Sequence, residues 1–377
     1  MIERPAFTVG IEEEYLIVDP DTRDLVGNPG GSFMAECAEL LGPRVSPELL
    51  KAQVEVVTSP AKDIGGAGDE LRSLRSAVCD IAERHGFRVI AASTHPFAHW
   101  AAQEITDKER YLMLAQDLQG VVRRLMICGM HVHVGIEDPD LRLDLMNQVV
   151  YFLPHLLAMS TSSPFWDGGD TGLKSYRMAV FYSMPRTGLP EPFSSWAEYQ
   201  RHVAVLRDGG VIEDASRLWW DIRPSARYPT IEMRISDVCT RIDDGLTIAA
   251  LFQSLLGMLF RRRQENQRWR TYATMLIREN VWRAQRYGVE ATLMDFGRGV
   301  LVPYSDLVDE IVELVRVDAE ELGCLDHVLR APGIAARGTS ADRQLAAFRA
   351  VVDTGGSVQE GLIAVVDELI MDTKTGL

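Results

Sequence analysis

Four short stretches of this chain hold side chains that can bind cations and phosphates, each at a spacing of two. They are Gly10-Ile11-Glu12-Glu13-Glu14-Tyr15, Gln53-Val54-Glu55-Val56, Met130-His131-Val132-His133-Val134 and Thr230-Ile231-Glu232-Met233-Arg234. A strand alternates its side chains with period two. Glu12 and Glu14 therefore share a face, as do Gln53 with Glu55, His131 with His133, and Glu232 with Arg234. In the last two stretches the opposite face is apolar: Val132 and Val134, then Ile231, Met233 and Ile235. A sheet carrying all four has a hydrophobic back and a front dense in carboxylate, imidazole and guanidinium. Such a front is costly to fold unless cations and anionic ligands neutralise it, which is the pattern of a multi-metal, phosphate-handling site.

Each motif is weaker alone than in company. Glu12 and Glu14 are hard oxygen donors that can reach different cations; alone they would suit a solvated edge strand guarded by charge. Glu13 points the other way, between Ile11 and Tyr15, and is expected to be a paired structural acid or a group behind the ligands. Glu55 sits mid-strand among Val54, Val56 and Val57, where a carboxylate must be paired or metal-bound. Glu48, in Pro47-Glu48-Leu49, suits a ligand or a surface position almost equally. His131-Val132-His133 could give two nitrogen ligands to one metal, or one ligand and one hydrogen-bonding residue. Its company of carboxylates favours Mg²⁺ or Mn²⁺ held mostly by oxygen. Glu232 and Arg234 put a ligand beside a guanidinium, and Arg223, in Asp221-Ile222-Arg223-Pro224, ends the preceding strand. Arginine's fork binds two phosphate oxygens and stays charged, although these arginines would also balance the glutamates. The chain has no GxxxxGK[ST] loop, no Rossmann glycine turn and no GxSxG elbow, so ATP, if used, is held through metals and arginines.

The elements that must position these residues can be read from periodicity. Strands are expected at roughly 6–18, 52–58, 88–94, 129–136, 177–183, 218–223 and 229–236. Helices are expected at roughly 66–86, 107–125, 139–160, 195–208, 243–287, 304–322, 340–353 and 357–371. The order is not a regular βαβ series, so α+β is expected, not a doubly wound parallel sheet. The ligand strands span residues 10–236 and must fold together. This predicts one catalytic domain over 1–377, strand-rich over 1–240 and mostly helical over 241–377, with the helices packed on it. Between 160 and 195 run Gly, Pro and small hydroxyls with interleaved Trp166, Asp167 and Arg177. This stretch reads as a binding loop or lid that touches substrate.

At 377 residues, 46% hydrophobic and 25% charged, the chain has the composition of a soluble globular protein. A net charge of −15, from 39 basic and 54 acidic residues, argues against nucleic-acid or anionic-membrane binding. The five cysteines are scattered with no CxxC pair, which points to a reducing cytoplasm. The opening Met1-Ile2-Glu3-Arg4-Pro5 has no apolar stretch, so no signal peptide is expected. Leu246 to Phe260 is too short to span a bilayer, and Asp243-Asp244 before it and Arg261-Arg262-Arg263 after it suit a buried core helix. The edge strands of an open sheet suggest self-association, as a homodimer.

Together the motifs resemble the type 2 glutamate–cysteine ligases, also called carboxylate–amine ligases. The resemblance rests on Thr8-Val9-Gly10-Ile11-Glu12-Glu13-Glu14-Tyr15, Gln53-Val54-Glu55, Met130-His131-Val132-His133-Val134-Gly135, the Phe165-Trp166 to Arg177 loop, Asp221-Ile222-Arg223-Pro224, Thr230-Ile231-Glu232-Met233-Arg234 and Glu279-Asn280-Val281-Trp282-Arg283. It spans nearly the whole chain in order. It implies a glutamine-synthetase-like fold, a curved antiparallel sheet with helices on its outer face, and ATP-dependent joining of glutamate to an amine such as cysteine. By the same resemblance Glu14, Glu48 and Glu55 would hold one Mg²⁺. Glu12, His131 and Glu232 would hold another, with Arg223 and Arg234 on the transferring phosphoryl group. Asn280 and Arg283 would meet the nucleotide, and Arg177, His133 and Trp166 the substrates. An ATP–guanidine phosphotransferase of the same fold, a metal-dependent hydrolase using the HxH and carboxylate cluster, and a non-catalytic nucleotide-binding scaffold are the competing readings.

Overall fold

The structure, a computed structural model, describes residues 3–377. Strands β1 (Val9–Val18), β2 (Val45–Pro47), β3 (Gln53–Val57), β4 (Arg88–Ile90) and β5 (Met130–Gly135) come first. Two short ladders follow, β6 (Phe165–Trp166) with β7 (Gly169–Asp170) and β8 (Thr187–Gly188) with β9 (Trp219–Trp220). β10 (Ile222–Pro224) and β11 (Thr230–Met233) complete a seven-stranded sheet of order β10-β11-β5-β1-β3-β2, with β4 on the far end of β1. Every pairing in this sheet is antiparallel. β12 (Thr292–Asp295) and β13 (Val300–Pro303) form a separate hairpin.

The helices are α1 (Gly31–Leu41), α2 (Ile64–Arg84), α3 (Glu109–Leu118), α4 (Pro139–Val149), α5 (Leu153–Ser160), α6 (Tyr176–Phe181), α7 (Trp196–Asp208), α8 (Ile242–Gln264), α9 (Thr274–Tyr287), α10 (Tyr304–Glu321), α11 (Leu325–Val328), α12 (Ala331–Arg337), α13 (Ser340–Val352) and α14 (Val358–Thr373). The apolar back of the sheet packs on α2 and α8. Ile11, Val54, Val56, Val132, Val134, Ile231 and Met233 are all fully buried there. The alternation read from sequence is the reason: one face of each strand has nothing to gain from water. α8 is long and apolar enough to cross a membrane, yet nearly all of it is buried inside the protein. Arg261 at its end pairs with Asp318 of α10 at 2.8 Å.

Two expectations fail. Residues 177–183 form helix α6 and its trailing turn, not a strand. Their apolar positions, Met178, Val180 and Phe181, fit either period in so short a run. The single helix expected over 243–287 breaks after Gln264, where Asn266 turns left-handed at φ 62°. Part of the stretch expected to be a binding loop or lid is anchored inside the protein. Ser162, Ser163 and Ser175 are fully buried and donate to Asp237, through the Ser162 amide (2.9 Å) and the two hydroxyls (2.8 Å each). Small hydroxyls here satisfy a buried acid; they do not loosen a loop. Helix α1 forms where no helical periodicity was legible.

Candidate active site

Register converts the ligand faces into a site. On β1, Glu12 lies opposite His131 of β5, and Glu14 lies opposite Glu55 of β3. Glu232 of β11 lies opposite His133 on one side and Arg223 of β10 on the other. Ser46 of β2 lies beside Glu55 and donates to its carboxylate at 3.0 Å. Side chains directly opposite in a ladder stand about 4.5–5.5 Å apart at Cβ, so pairing alone brings the acids, imidazoles and guanidiniums together. They line one cleft of about 640 Å³.

Two groups in this cleft can each close on a cation. One ligand atom each from Glu14, Glu48 and Glu55 lie within 4.8 Å of one another, and so do those from Glu12, Glu55 and His131. Glu55 belongs to both. Burial and the neighbouring carboxylate of Glu48 push Glu14 up to about 8. Burial and the charges of Glu48, Glu12 and Glu14 push Glu55 far upward too. Burial also raises Glu48. Like charges in one low-dielectric site resist joint ionisation, and a hard dication removes that cost. A donor set of carboxylate oxygens with one imidazole fits Mg²⁺ or Mn²⁺ and suits zinc less well.

The second half of the cleft is balanced differently. Burial works against ionisation of Glu232, but Arg234 and Arg223 overcome it and hold the carboxylate well below the usual range. Arg223 grips it with two bonds, Nε–Oε2 at 2.9 Å and Nη2–Oε1 at 3.0 Å, and Arg234 Nη1 donates to Oε1. Arg223 also donates to the carbonyls of Ser216 (2.9 Å) and Leu218 (2.8 Å), so its plane is fixed. His131 and His133 both contact Glu12, at 2.9 and 3.2 Å. These bonds outweigh burial and lower the Glu12 carboxyl. Burial and then Arg234 push His131 down to about 4, whereas the Glu12 bond and the Glu232 charge outweigh burial and raise His133. The two histidines thus differ in role: His131 is kept neutral beside the carboxylate group, and His133 is braced by Thr230 Oγ1 at 2.9 Å.

Arg177 lines the cleft and is 2% exposed. It donates to the carbonyls of Ile235 (3.2 Å) and Arg234 (3.1 Å), while Nε has no partner among the described residues. A side chain at Gly129 would run into its guanidinium, which explains glycine there. Other residues expected at the site lie away from this cleft. Trp166 sits against Tyr176, the rings tilted at 38°, outside the cleft. Asn280 spends both ends of its amide on the backbone of Met294, at 2.9 and 2.7 Å, and Arg283 binds Thr292. Neither lines the cleft, because α9 packs on the β12–β13 hairpin and not against the sheet front. Glu232 pairs with arginines and falls outside both cation-sized groups, where the sequence placed it as a ligand. Conversely, Tyr111 was not foreseen. Its hydroxyl donates to Glu48 at 3.4 Å, and a helix near 107–125 was legible but not its target.

The family model described as Glutamate-cysteine ligase family 2 matches residues 8–368. A protein of Rhodospirillum rubrum named "Putative glutamate--cysteine ligase 2" is 58% identical, over 100% of this chain and 98% of that protein. Among solved structures, a glutamate–cysteine ligase from Francisella tularensis in complex with AMP superposes with a TM-score of 0.65 at 13% identity, covering 99% of this chain and 90% of that one. A bifunctional glutathione synthetase from Pasteurella multocida gives 0.68 at 14% identity, over 98% of this chain but 52% of that one. At these identities the structural likeness is one of fold. The chain belongs to glutamate–cysteine ligase family 2.

Proposed function

We propose that this family member is an ATP-dependent carboxylate–amine ligase that joins glutamate to an amine such as cysteine, releasing ADP and phosphate. The observation that carries the reading is the division of one cleft into a carboxylate half with raised proton affinities and an arginine half built around Glu232. The first suits cations and the second suits phosphates. Glu14, Glu48 and Glu55 would hold one Mg²⁺, and Glu12, Glu55 and His131 another; bound there, the ions offset phosphate charge. Glu232 would remain the pivot that aims Arg223 and Arg234.

The chain's own groups then have definite work. The side-chain carboxylate of glutamate attacks the γ-phosphorus of ATP, and an acyl phosphate forms as ADP leaves. Arg234 and Arg223 stabilise charge on the equatorial oxygens during transfer, positioned in advance by Glu232 and by the Ser216 and Leu218 carbonyls. The amine next attacks the acyl carbon; the C–N bond forms, the acyl C–O bond breaks, and the nitrogen's proton leaves on phosphate. Arg177, with its unpaired Nε, would hold a carboxylate of the amino-acid substrate. His133 would orient substrate from beside Glu12. All five cysteines are buried and unpaired, in keeping with a reducing cytoplasmic setting. A self-associated, homodimeric form remains part of the proposal.

The test is phosphate release from purified protein with Mg²⁺, ATP and glutamate, with and without cysteine. The ligase reading expects phosphate matched by amide product and lost in Glu55→Gln. A phosphorylated product without free phosphate would make the protein a phosphotransferase. Turnover without ATP would make it a hydrolase.

A further inference from the structure

Helix α6 carries Arg177 to the arginine edge of the cleft, and a buried acid holds each end of it. At the start, the Ser163 and Ser175 hydroxyls donate to Asp237, each at 2.8 Å, and Ser163 Oγ accepts the Arg177 amide at 3.1 Å. At the end, the Tyr182 hydroxyl donates to Asp221 Oδ2 at 2.8 Å. Asp221 and Asp237 are both 0% exposed. They flank the β10–β11 hairpin, Asp221 just before Arg223 and Asp237 just after Arg234. The helix is therefore strapped across the two ends of the hairpin whose arginines meet Glu232. With only six residues it has little helical stability of its own, so such straps decide where it sits.

The second strap closes a ring. Arg177 Nη2 donates to the Arg234 carbonyl at 3.1 Å, and the Arg234 amide donates to the Asp221 carbonyl at 2.8 Å. Asp221 then receives Tyr182, which follows Arg177 on the same helix and its trailing turn. The Asp221 amide is spent on the Gly188 carbonyl at 3.0 Å, so the backbone of this residue is fixed on both sides. Neither Tyr182 nor Asp221 lines the cleft. Whatever they do for the reaction they do through Arg177 and Arg234.

Burial pushes the Asp221 carboxyl up to about 7, against the Tyr182 hydrogen bond and the charges of Arg177, Arg278 and Arg234. Its Oδ1 has no partner among the described residues. The acid is thus buried at a cost while its side chain accepts one hydrogen bond, from Tyr182. A neutral amide could accept the same bond, which allows the tether to be separated from the charge.

Resting on the ligase reading above, in which Arg177 holds a carboxylate of the amino-acid substrate, we propose that Tyr182 is a positioning residue. Through Asp221 it fixes helix α6, and so the placement of Arg177 relative to Arg223 and Arg234. That placement aligns glutamate: one carboxylate rests on Arg177 while the other meets the γ-phosphorus held at the arginine pair. Alignment of this kind is sensitive to displacements of about 1 Å, even when the altered residue is remote from the reacting atoms.

The experiment follows hydroxamate formation from glutamate, Mg²⁺, ATP and hydroxylamine, an acceptor with no side chain to seat. Tyr182→Phe deletes one hydroxyl at a half-buried position. It should raise KM for glutamate roughly tenfold or more and keep KM for ATP within about twofold of wild type. Asp221→Ala should do the same, and the double variant should be no worse than either single one. Asp221→Asn, which keeps an acceptor for the hydroxyl, should recover most of the loss. A role in folding alone would lower the melting temperature and leave KM for glutamate where it was. That outcome, or KM values for glutamate and ATP rising together, would overturn the positioning role and leave the ligase reading standing. If Asp221→Ala does not fold, Tyr182→Phe decides by itself. No hydroxamate from wild-type protein would overturn the ligase reading, and the positioning role with it.

Discussion

Glu12, Glu13 and Glu14 are neighbours on one strand, and their surroundings are opposite. Glu13 faces the apolar back. There its Oε2 receives Arg75 Nη2 at 2.6 Å and the Tyr15 hydroxyl at 2.6 Å, and Arg75 goes on to the carbonyls of Thr240 (2.7 Å) and Cys239 (3.0 Å). Both members of this pair are 0% exposed. Glu14 faces the front among Glu48 and Glu55 and is pushed up to about 8. One acid has its counter-charge supplied by the chain; the other shares a site with two more acids. A buried acid with its own arginine ties sheet to helix, here β1 to α2 and the segment leading into α8. A cluster of acids without enough cations is held in place by the rest of the fold for a ligand.

The contrast breaks most sharply at Arg75. Arg75→Ala should destabilise the protein by about 3–5 kcal/mol in chemical unfolding, because it strands a buried carboxylate. Mg²⁺ should not restore the loss. If the loss stays within experimental error, Glu13 is not held in the way described. Glu55→Gln is the front-face counterpart. It should cut ATP-dependent phosphate release roughly a hundredfold or more, yet raise the unfolding free energy of metal-free protein at pH 8 by about 1 kcal/mol or more. A variant that lost stability instead would show that Glu55 is a structural acid like Glu13.

The two regions should also be separable by pH. Glu14 binds its proton more tightly folded than unfolded, so between pH 4.5 and about 8 the unfolded state carries fewer protons and stability falls as pH rises. The buried histidines His95 and His155 act in the other sense. Burial pushes both down to about 4, so between about 4 and 6.5 the unfolded state carries more protons and stability rises with pH. Each contributes at most about 3 kcal/mol across that range. Between pH 6.5 and about 8, where both histidines are neutral folded or unfolded, metal-free protein should lose stability as pH rises, and Mg²⁺ should flatten this alkaline limb. An alkaline limb unchanged by Mg²⁺ in thermal melts would separate the carboxylate group from cation binding.

The smallest effect concerns the residues that the sequence placed at the nucleotide and the structure does not. Asn280→Ala should cost about 1–3 kcal/mol of stability by freeing the Met294 backbone groups. It should leave KM for ATP unmoved; a rise of several-fold would return Asn280 to the site.

Sequence by itself determined which residues could share a face. Alternation is a property of one strand, so Glu12 with Glu14, His131 with His133 and Glu232 with Arg234 were legible before any pairing was known, and so was the isolation of Glu13 between Ile11 and Tyr15. It also marked α8 as a core helix, through its apolar run and the charges at its two ends. Short runs misled where two periods fit the same residues, as at Met178, Val180 and Phe181. Everything that crosses between elements had to await the tertiary structure. Register decided that Glu55 belongs to both groups that can close on a cation, and that Glu232 meets two arginines. The path of α2 decided which arginine answers Glu13. The paths of α3 and α6 decided what covers the cleft, and the packing of α9 on its hairpin withdrew Asn280 and Arg283. Local periodicity follows from backbone geometry within a few residues, whereas register and packing are set by contacts between segments hundreds of residues apart. No single segment encodes those contacts alone.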